Sequence, residues 1–338
     1  MSNTIDPAAR IGRVTLAVSD LDAVVAFYRG VVGLTVRERD DDRASLGTAD
    51  ATLLELDRDP EAGPRPADAA GLFHTAFLYP SRGALGDALA RAREAGARIG
   101  GASDHRVSEA LYLRDPEGNG VELYRDRPRE AWPETDGRVE MDTLPLDVAS
   151  LLTDRAGEFD TAGDPAPDDT TVGHVHLEVT DLDAAEAFYV DALGFDVRQR
   201  WEAEALFVAA GGYHHHVGLN TWNDRTAPAT GRGLREFEVV VSDGTALGAV
   251  RSGLADAGVA FRADGDALVA SGPDGVSVRV SSTDPRGPFR AASSLEVRLG
   301  SPILYRSMRC TTTIGPSLRE VPGDRETASN AARGRGGG

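Results

Sequence analysis

Hydrophobic and polar positions along the chain repeat one rhythm four times. The first copy alternates with period two through Val14, Leu16 and Val18, the signature of a strand with one buried face. Asp20 follows, a residue type that accepts from the free N–H groups of a helix start, and the amphipathic stretch from Leu21 to Val32 reads as that helix. Gly33 stops it, because glycine takes the left-handed conformation at a helix C-terminus without a steric penalty. Further strand-like runs come next: "ATLLEL" in the first copy, "ALYLRD" and "GVELY" in the second. Each copy is thus a β-α-β-β-β module. The Phe–Tyr pairs at 27–28 and 188–189 sit on the amphipathic helices and read as core.

The modules come in pairs. Residues 11–39 and 172–200 align without a gap at an offset of 161 and share 15 of 29 positions. The stretches that begin at Gly71 and Gly233 align at 162. A repeat of this kind marks a duplicated structural unit, here an α+β one. It divides the chain into a first pair of modules over 9–126, a connector over 127–171, a second pair over 172–283 and a tail over 284–338. The connector is rich in Pro, Asp and Thr, with short apolar patches such as "PLDVASLL". The tail has no sustained period, ends in "NAARGRGGG", and carries nine Arg against five acids from Asp284 onward, so it reads as a largely disordered extension.

Composition narrows the class. Hydrophobic content is 41%, and no apolar run approaches the roughly 18 residues of a membrane helix. The start, "MSNTIDPAAR", has no charged region followed by an apolar one, so a soluble cytoplasmic protein is expected. The single cysteine, Cys310, excludes an intramolecular disulfide and a cysteine-based zinc site. All 36 basic residues are arginine, Asp (34) outnumbers Glu (20), and the net charge is −18. Such self-repulsion is screened in concentrated salt, where the Debye length falls to about 3 Å at 1 M. A salt-rich cytoplasm accounts for it, and full folding and activity in dilute buffer would overturn that account; a GC-rich genome favouring Arg, Ala, Gly and Asp is the plainer one. Either way a nucleic-acid partner is disfavoured, while a homo-oligomer is compatible.

The segment "HVHLEVTDLDAAEAFYVDALGF" (174–195) resembles the vicinal oxygen chelate superfamily, which includes glyoxalases, extradiol dioxygenases and bleomycin-resistance proteins. The resemblance spans roughly 11–281. It implies four βαβββ modules forming two domains with cupped mixed sheets, and a divalent metal held by residues from the first and last strands of paired modules. The first-strand slots are then Arg13, His74, His174 and Glu236 in modules 1 to 4. The last-strand slots are Glu55, Glu122, the neighbourhood of Gly218, and Arg279. Arginine stays protonated and offers only donors, so modules 1 and 4 each spoil a slot. A cup made from modules 2 and 3 is chemically complete. The competing arrangement pairs 1 with 2 and 3 with 4, and in it Glu55 joins His74 and Glu122.

Within module 2, "HRVSEALYLRDPEGNGVE" has the form H-x5-L-Y-x2-D-P-x-G-x3-E, similar to the fingerprint of extradiol ring-cleaving dioxygenases, with Ser103 a mild departure just upstream. The turn "DPEGNG" alone would mean little. The resemblance implies His74, Glu122 and His174 as a 2-His-1-carboxylate set suited to Fe(II), with Mn(II), Ni(II) or Zn(II) as alternatives. It implies an aromatic catechol and O2 as substrates, with His105 and Tyr112 bonding the substrate oxygens. An acid–base histidine is expected from the triplet His214–His216, since a pKa near 6.5 serves both directions. Alternation counted back from Gly218 favours His216 first and His214 second, leaving His215 structural or solvent-facing. His176 shares the parity of His174 and lines the pocket or serves structure; Asn220 and Trp222 contact substrate or pack. Two other functions stay open: a glyoxalase-like lyase or isomerase with four metal ligands, and a metal-free binding or resistance protein.

Overall fold

The first strands of modules 1 to 4 are Arg10–Val18, Gly71–Leu78, Thr171–Glu178 and Gly233–Val240, in a computed structural model that describes residues 4–155 and 164–282. The tail proposed for 284–338, with Cys310, lies outside these residues. Local chemistry sets the helix ends as expected. Asp20, Asp181 and Asp243 accept from the N–H groups of Ala23, Ala184 and Ala246, and Ser81 does the same for Ala84 in module 2. The helices of modules 1 and 3 finish in a wider π turn, Tyr28–Val32 and Ala187–Ala192, stopped by Gly33 and Gly194 at φ 86° and 90°.

Inside each module the last strand runs parallel to the first. Modules then join through antiparallel pairing of their first strands. Gly71–Leu78 pairs with Thr171–Glu178, which puts modules 2 and 3 into one nine-stranded sheet. Arg10–Val18 pairs with Gly233–Val240, which puts modules 1 and 4 into an eight-stranded one. The segments 9–126 and 172–283 therefore delimit repeats of sequence, and each sheet draws one module from each.

The module 1–4 cup holds ion pairs where a metal would sit. Arg13 lies 3.1 Å from Glu55 and 3.5 Å from Glu238, and Arg279 lies 2.7 Å from Glu236. Glu55 is accordingly a partly buried partner of Arg13, not a solvated strand end and not a neighbour of His74.

The helices fasten one sheet to the other. Tyr28, on the module 1 helix, packs on Phe77 of module 2 at 6.0 Å, and Tyr189 of module 3 stacks on Phe237 of module 4 at 6.5 Å. Tyr28, Phe188 and Tyr189 are buried and Phe27 partly so, as the Phe–Tyr pattern required. Arg91, on the module 2 helix Arg82–Glu94, reaches the end of the module 1 helix. Its Nε donates to Val31 O (3.1 Å) and its Nη2 to Val32 O (2.8 Å). These are carbonyls left without helical partners, and a cation suits that end of the helix dipole. The connector contributes a helix, Val148–Thr153, seated on the module 2 helix where Gly86 lets Leu151 O approach; a Cβ there would stand 2.6 Å from that oxygen. Among the described residues no helix is long and apolar enough to cross a membrane.

Candidate metal centre and active site

Antiparallel register places His176 opposite His74, and His174 is two residues away on the same strand. Glu122 lies beside Ala76 on the parallel neighbour, with Tyr112 opposite it on the next strand. Residues opposed in a sheet share a face, and alternate residues of a strand share a face. His74, His174, His176, Glu122 and Tyr112 therefore converge on one concave surface, although module 3 follows module 2 by about a hundred positions.

Three of them meet at a point. His74 Nε2 lies 2.9 Å and His174 Nε2 3.1 Å from Glu122 Oε2, and the two nitrogens are 3.3 Å apart. Ligand atoms about 2.1 Å from a common ion and at right angles to one another stand about 3.0 Å apart. The donor set thus has the dimensions of one face of a coordination octahedron, and all three residues are buried. Protonation favours the same role. Burial pushes the His174 imidazole down to about 4 against the pull of Glu122. Burial also opposes ionisation of Glu122, but the two imidazoles outweigh it and hold this carboxyl well below its usual range. A neutral imidazole and an ionised carboxylate are what a divalent cation binds.

The cavity beside this set has a volume of about 250 Å³. On one side, Tyr112 Oη donates to His105 Nε2 (2.6 Å), while His105 Nδ1 donates to Asp142 O (2.6 Å). This fixes the imidazole tautomer and leaves the Tyr112 oxygen free to accept. Burial, with Glu122 nearby, pushes the Tyr112 hydroxyl well above its ordinary pKa, so it stays protonated. On the other side, aromatic groups enclose a flat slot. Phe73 packs on His176 at 5.1 Å and on Trp222 at 5.5 Å, and Phe207 closes the far end at 5.6 Å from His176.

His176 is part of this wall. Asn220 Nδ2 donates to its Nε2 (3.0 Å), an orientation set by Asn220's bonds to Leu177 O and from Trp222 N–H. Gly218 makes the arrangement possible, since a Cβ there would sit 2.9 Å from the His176 ring.

The histidine triplet departs from the order that alternation predicts. His215 lines the cavity, with its ring 4.1 Å from that of His174. His214 turns to Asp126, with Nε2 2.9 Å from Oδ1. His216 packs on Tyr213 at 4.8 Å and accepts from Ala210 N–H through Nδ1 (3.1 Å). Neither His216 nor His214 reaches the cavity, and His215, read as structural, does. The cause is local: the strand begins only at Val217, and Gly211 and Gly212 at φ 57° and 70° buckle the chain before it. Parity counted back from Gly218 does not survive that buckle.

The connector also does more than join. Met141, Asp142 and Thr143 form one wall of the cavity, and Gln199 holds them in place by accepting from Met141 N–H and donating to Met141 O, both at 3.1 Å. Nothing periodic marks these residues in the sequence. Asp126 was legible in principle, since it shares strand parity with Glu122 and Tyr124.

Fold and site together define a protein built on cupped sheets of the vicinal-oxygen-chelate type, with two histidines and a glutamate placed where they could hold a divalent ion. Comparison with known proteins makes this specific. Residues 10–123 and 171–278 match the Glyoxalase/Bleomycin resistance protein/Dioxygenase superfamily, and the chain belongs to it. A catechol-2,3-dioxygenase of Bacillus subtilis (strain 168) is 44% identical over 246 residues, which cover 70% of this chain and 85% of that protein. A biphenyl-2,3-diol 1,2-dioxygenase of Rhodococcus globerulus is 32% identical over 126 residues, covering 36% of this chain and 65% of the relative. A crystal structure of a protein from Bacillus subtilis subsp. subtilis str. 168 superposes with a TM-score of 0.58 at 14% identity, over 84% of this chain and 86% of that one, a likeness of fold alone.

Proposed function

We propose that this chain is an Fe(II)-dependent extradiol dioxygenase that opens the ring of a catechol with O2. The observation that carries this is the joint placement of a three-donor face and the Tyr112–His105 pair at one cavity. His74, His174 and Glu122 would hold the iron, which would supply binding positions for a catecholate and dioxygen and a path for electrons between them.

The chain's own groups do the rest. The aromatic slot of Phe73, His176, Phe207 and Trp222 orients a flat ring and excludes water. Tyr112 accepts from a substrate hydroxyl while its own proton is held by His105. His215 is the acid–base group. Its tautomer follows from a chain of contacts: His214 Nε2 donates to Asp126 Oδ1, so His214 Nδ1 accepts from His215 Nδ1 at 2.7 Å, and the lone pair of His215 falls on Nε2. Burial among other imidazoles lowers the His215 pKa well below its ordinary value, which keeps that lone pair available. The glyoxalase alternative needs a fourth ligand from the slot at Gly218, and glycine supplies none.

The test is to load the protein with Fe(II) under anaerobic conditions, add catechol, and admit oxygen. A yellow ring-opened product, with one O2 taken up per catechol, is expected. No product from a panel of catechols, together with hemithioacetal turnover, would overturn the proposal. His215→Ala is expected to lower kcat by about 10²–10⁴, the usual worth of a general acid–base group, with metal content unchanged. His216→Asn, which keeps an acceptor for Ala210 N–H, retains most of the activity. The reverse ranking would restore the role to His216.

A further inference from the structure

Three large hydrophobic side chains are exposed among the described residues: Trp201 (43%), Trp222 (39%) and Leu144 (40%). Scattered singly they would need no explanation. Two of them are not scattered. Trp201 and Trp222 both line the cavity and share an adjoining notch. Leu144 pairs with Asp104, whose neighbours Ser103 and His105 line the cavity, so Leu144 belongs to the other face of the sheet. On a chain with a net charge of −18, the two exposed tryptophans border one opening.

The charges in that notch have one sign. No arginine lines the cavity among the described residues, and the carboxylate in its wall apart from Glu122 is Asp142. Asp142 is already paired with Arg106 at 3.0 Å. Glu202 and Glu204 lie in the notch beside the two tryptophans. A carboxylate carried by the ligand in that notch would meet Glu202 and Glu204, a repulsive element that discriminates as surely as an attractive one.

Resting on the dioxygenase reading above, we propose that the catecholic ligand of this cavity bears an uncharged apolar substituent, alkyl or aryl. Trp201 and Trp222 seat that substituent, and catechols bearing a carboxylate are rejected. Trp222 is held for this task by Phe73 and His176, at 5.5 and 5.3 Å, and so presents a fixed face.

The experiment compares catechol, 4-ethylcatechol and 3,4-dihydroxyphenylacetate in two measurements on the Fe(II)-loaded full chain: kcat/KM, and anaerobic binding read by tryptophan fluorescence. Only three tryptophans report, Trp132, Trp201 and Trp222. 4-Ethylcatechol is expected to exceed catechol by about tenfold in both, from two buried carbons, and the carboxylate to trail both. Trp222→Ala should reduce the ratio of 4-ethylcatechol to catechol toward one, and Trp201→Arg should raise the carboxylate relative to catechol. Equal or preferential handling of the carboxylate would overturn the inference. So would a Trp222→Ala variant that lowers all three ligands alike, or one that changes only the oligomeric state in sedimentation, which would make the rim a contact between copies. Binding in the expected order without any ring opening would support the inference and count against the dioxygenase reading, so the two fail separately.

Discussion

Replacing His174 by alanine is expected to empty the protein of its divalent metal, and replacing Arg13 is not. The two residues occupy equivalent first-strand positions in modules 3 and 1, so the pair of substitutions asks which cup is the metal site. His174 contributes one of three donor atoms that lie 2.9–3.3 Å apart around a common point. Losing a residue that merely orients a ligand typically costs 10–100-fold in affinity, so losing the ligand itself is expected to cost more than about 100-fold. Arg13 sits in the other sheet, paired with Glu55 and Glu238. Its removal disturbs an ion pair and leaves the metal in place. Metal analysis after dialysis against Fe(II) or Zn(II), with circular dichroism to confirm folding, reads both outcomes. A His174→Ala protein that retains stoichiometric metal while Arg13→Ala loses it would place the site in the wrong cup.

The largest effect on stability is expected at Arg91. Its side chain is buried, and it donates to the carbonyls of Val31 and Val32 and to Tyr79 Oη. Arg91→Leu removes those donors and strands the Val31 carbonyl, while Tyr79 Oη still donates to Val32 O at 2.6 Å. An unsatisfied buried polar group costs about 1–3 kcal/mol, and the lost charge–dipole interaction adds to it, so a loss of about 2–4 kcal/mol is expected. Arg91→Lys should recover only part, since a point charge cannot reproduce a planar fork bonded to two carbonyls. Urea unfolding followed by circular dichroism measures this. A midpoint unmoved by Arg91→Leu would show that the helix end is satisfied in some other way. Because Arg91 lies away from the cavity, the folded fraction of the variant should bind metal normally.

Much of the site was legible because strand and helix codes are local. Alternation about Val14 and Val18 and the caps at Asp20 and Asp181 define modules without reference to anything distant. The inability of Arg13 and Arg279 to ligate then selects modules 2 and 3, a conclusion drawn from side-chain chemistry and matched by the antiparallel pairing of Gly71–Leu78 with Thr171–Glu178. The spacing of His105, Tyr112 and Glu122 likewise survives folding, because adjacent strands carry it directly: Tyr112 faces Glu122 across the ladder.

What failed was the extension of a local rule past the element that obeys it. The chain before Val217 is shaped by what it touches, and those contacts come from far away. Trp132 of the connector lies 5.2 Å from the His214 ring, and Asp126 of module 2 accepts its hydrogen bond. No period within residues 211–222 encodes that, so His215 could not be told from its neighbours. The cavity wall at Met141–Thr143 and the tryptophan rim are of the same kind, assembled from segments with no regular pattern. By itself the sequence determined the modules and their duplication, since these depend on backbone periodicity; the candidate metal ligands followed from the resemblance to the vicinal oxygen chelate superfamily, narrowed by side-chain chemistry. Only the tertiary structure decided which histidine lines the cavity and what surrounds it, because convergence of distant segments depends on packing that no single stretch records.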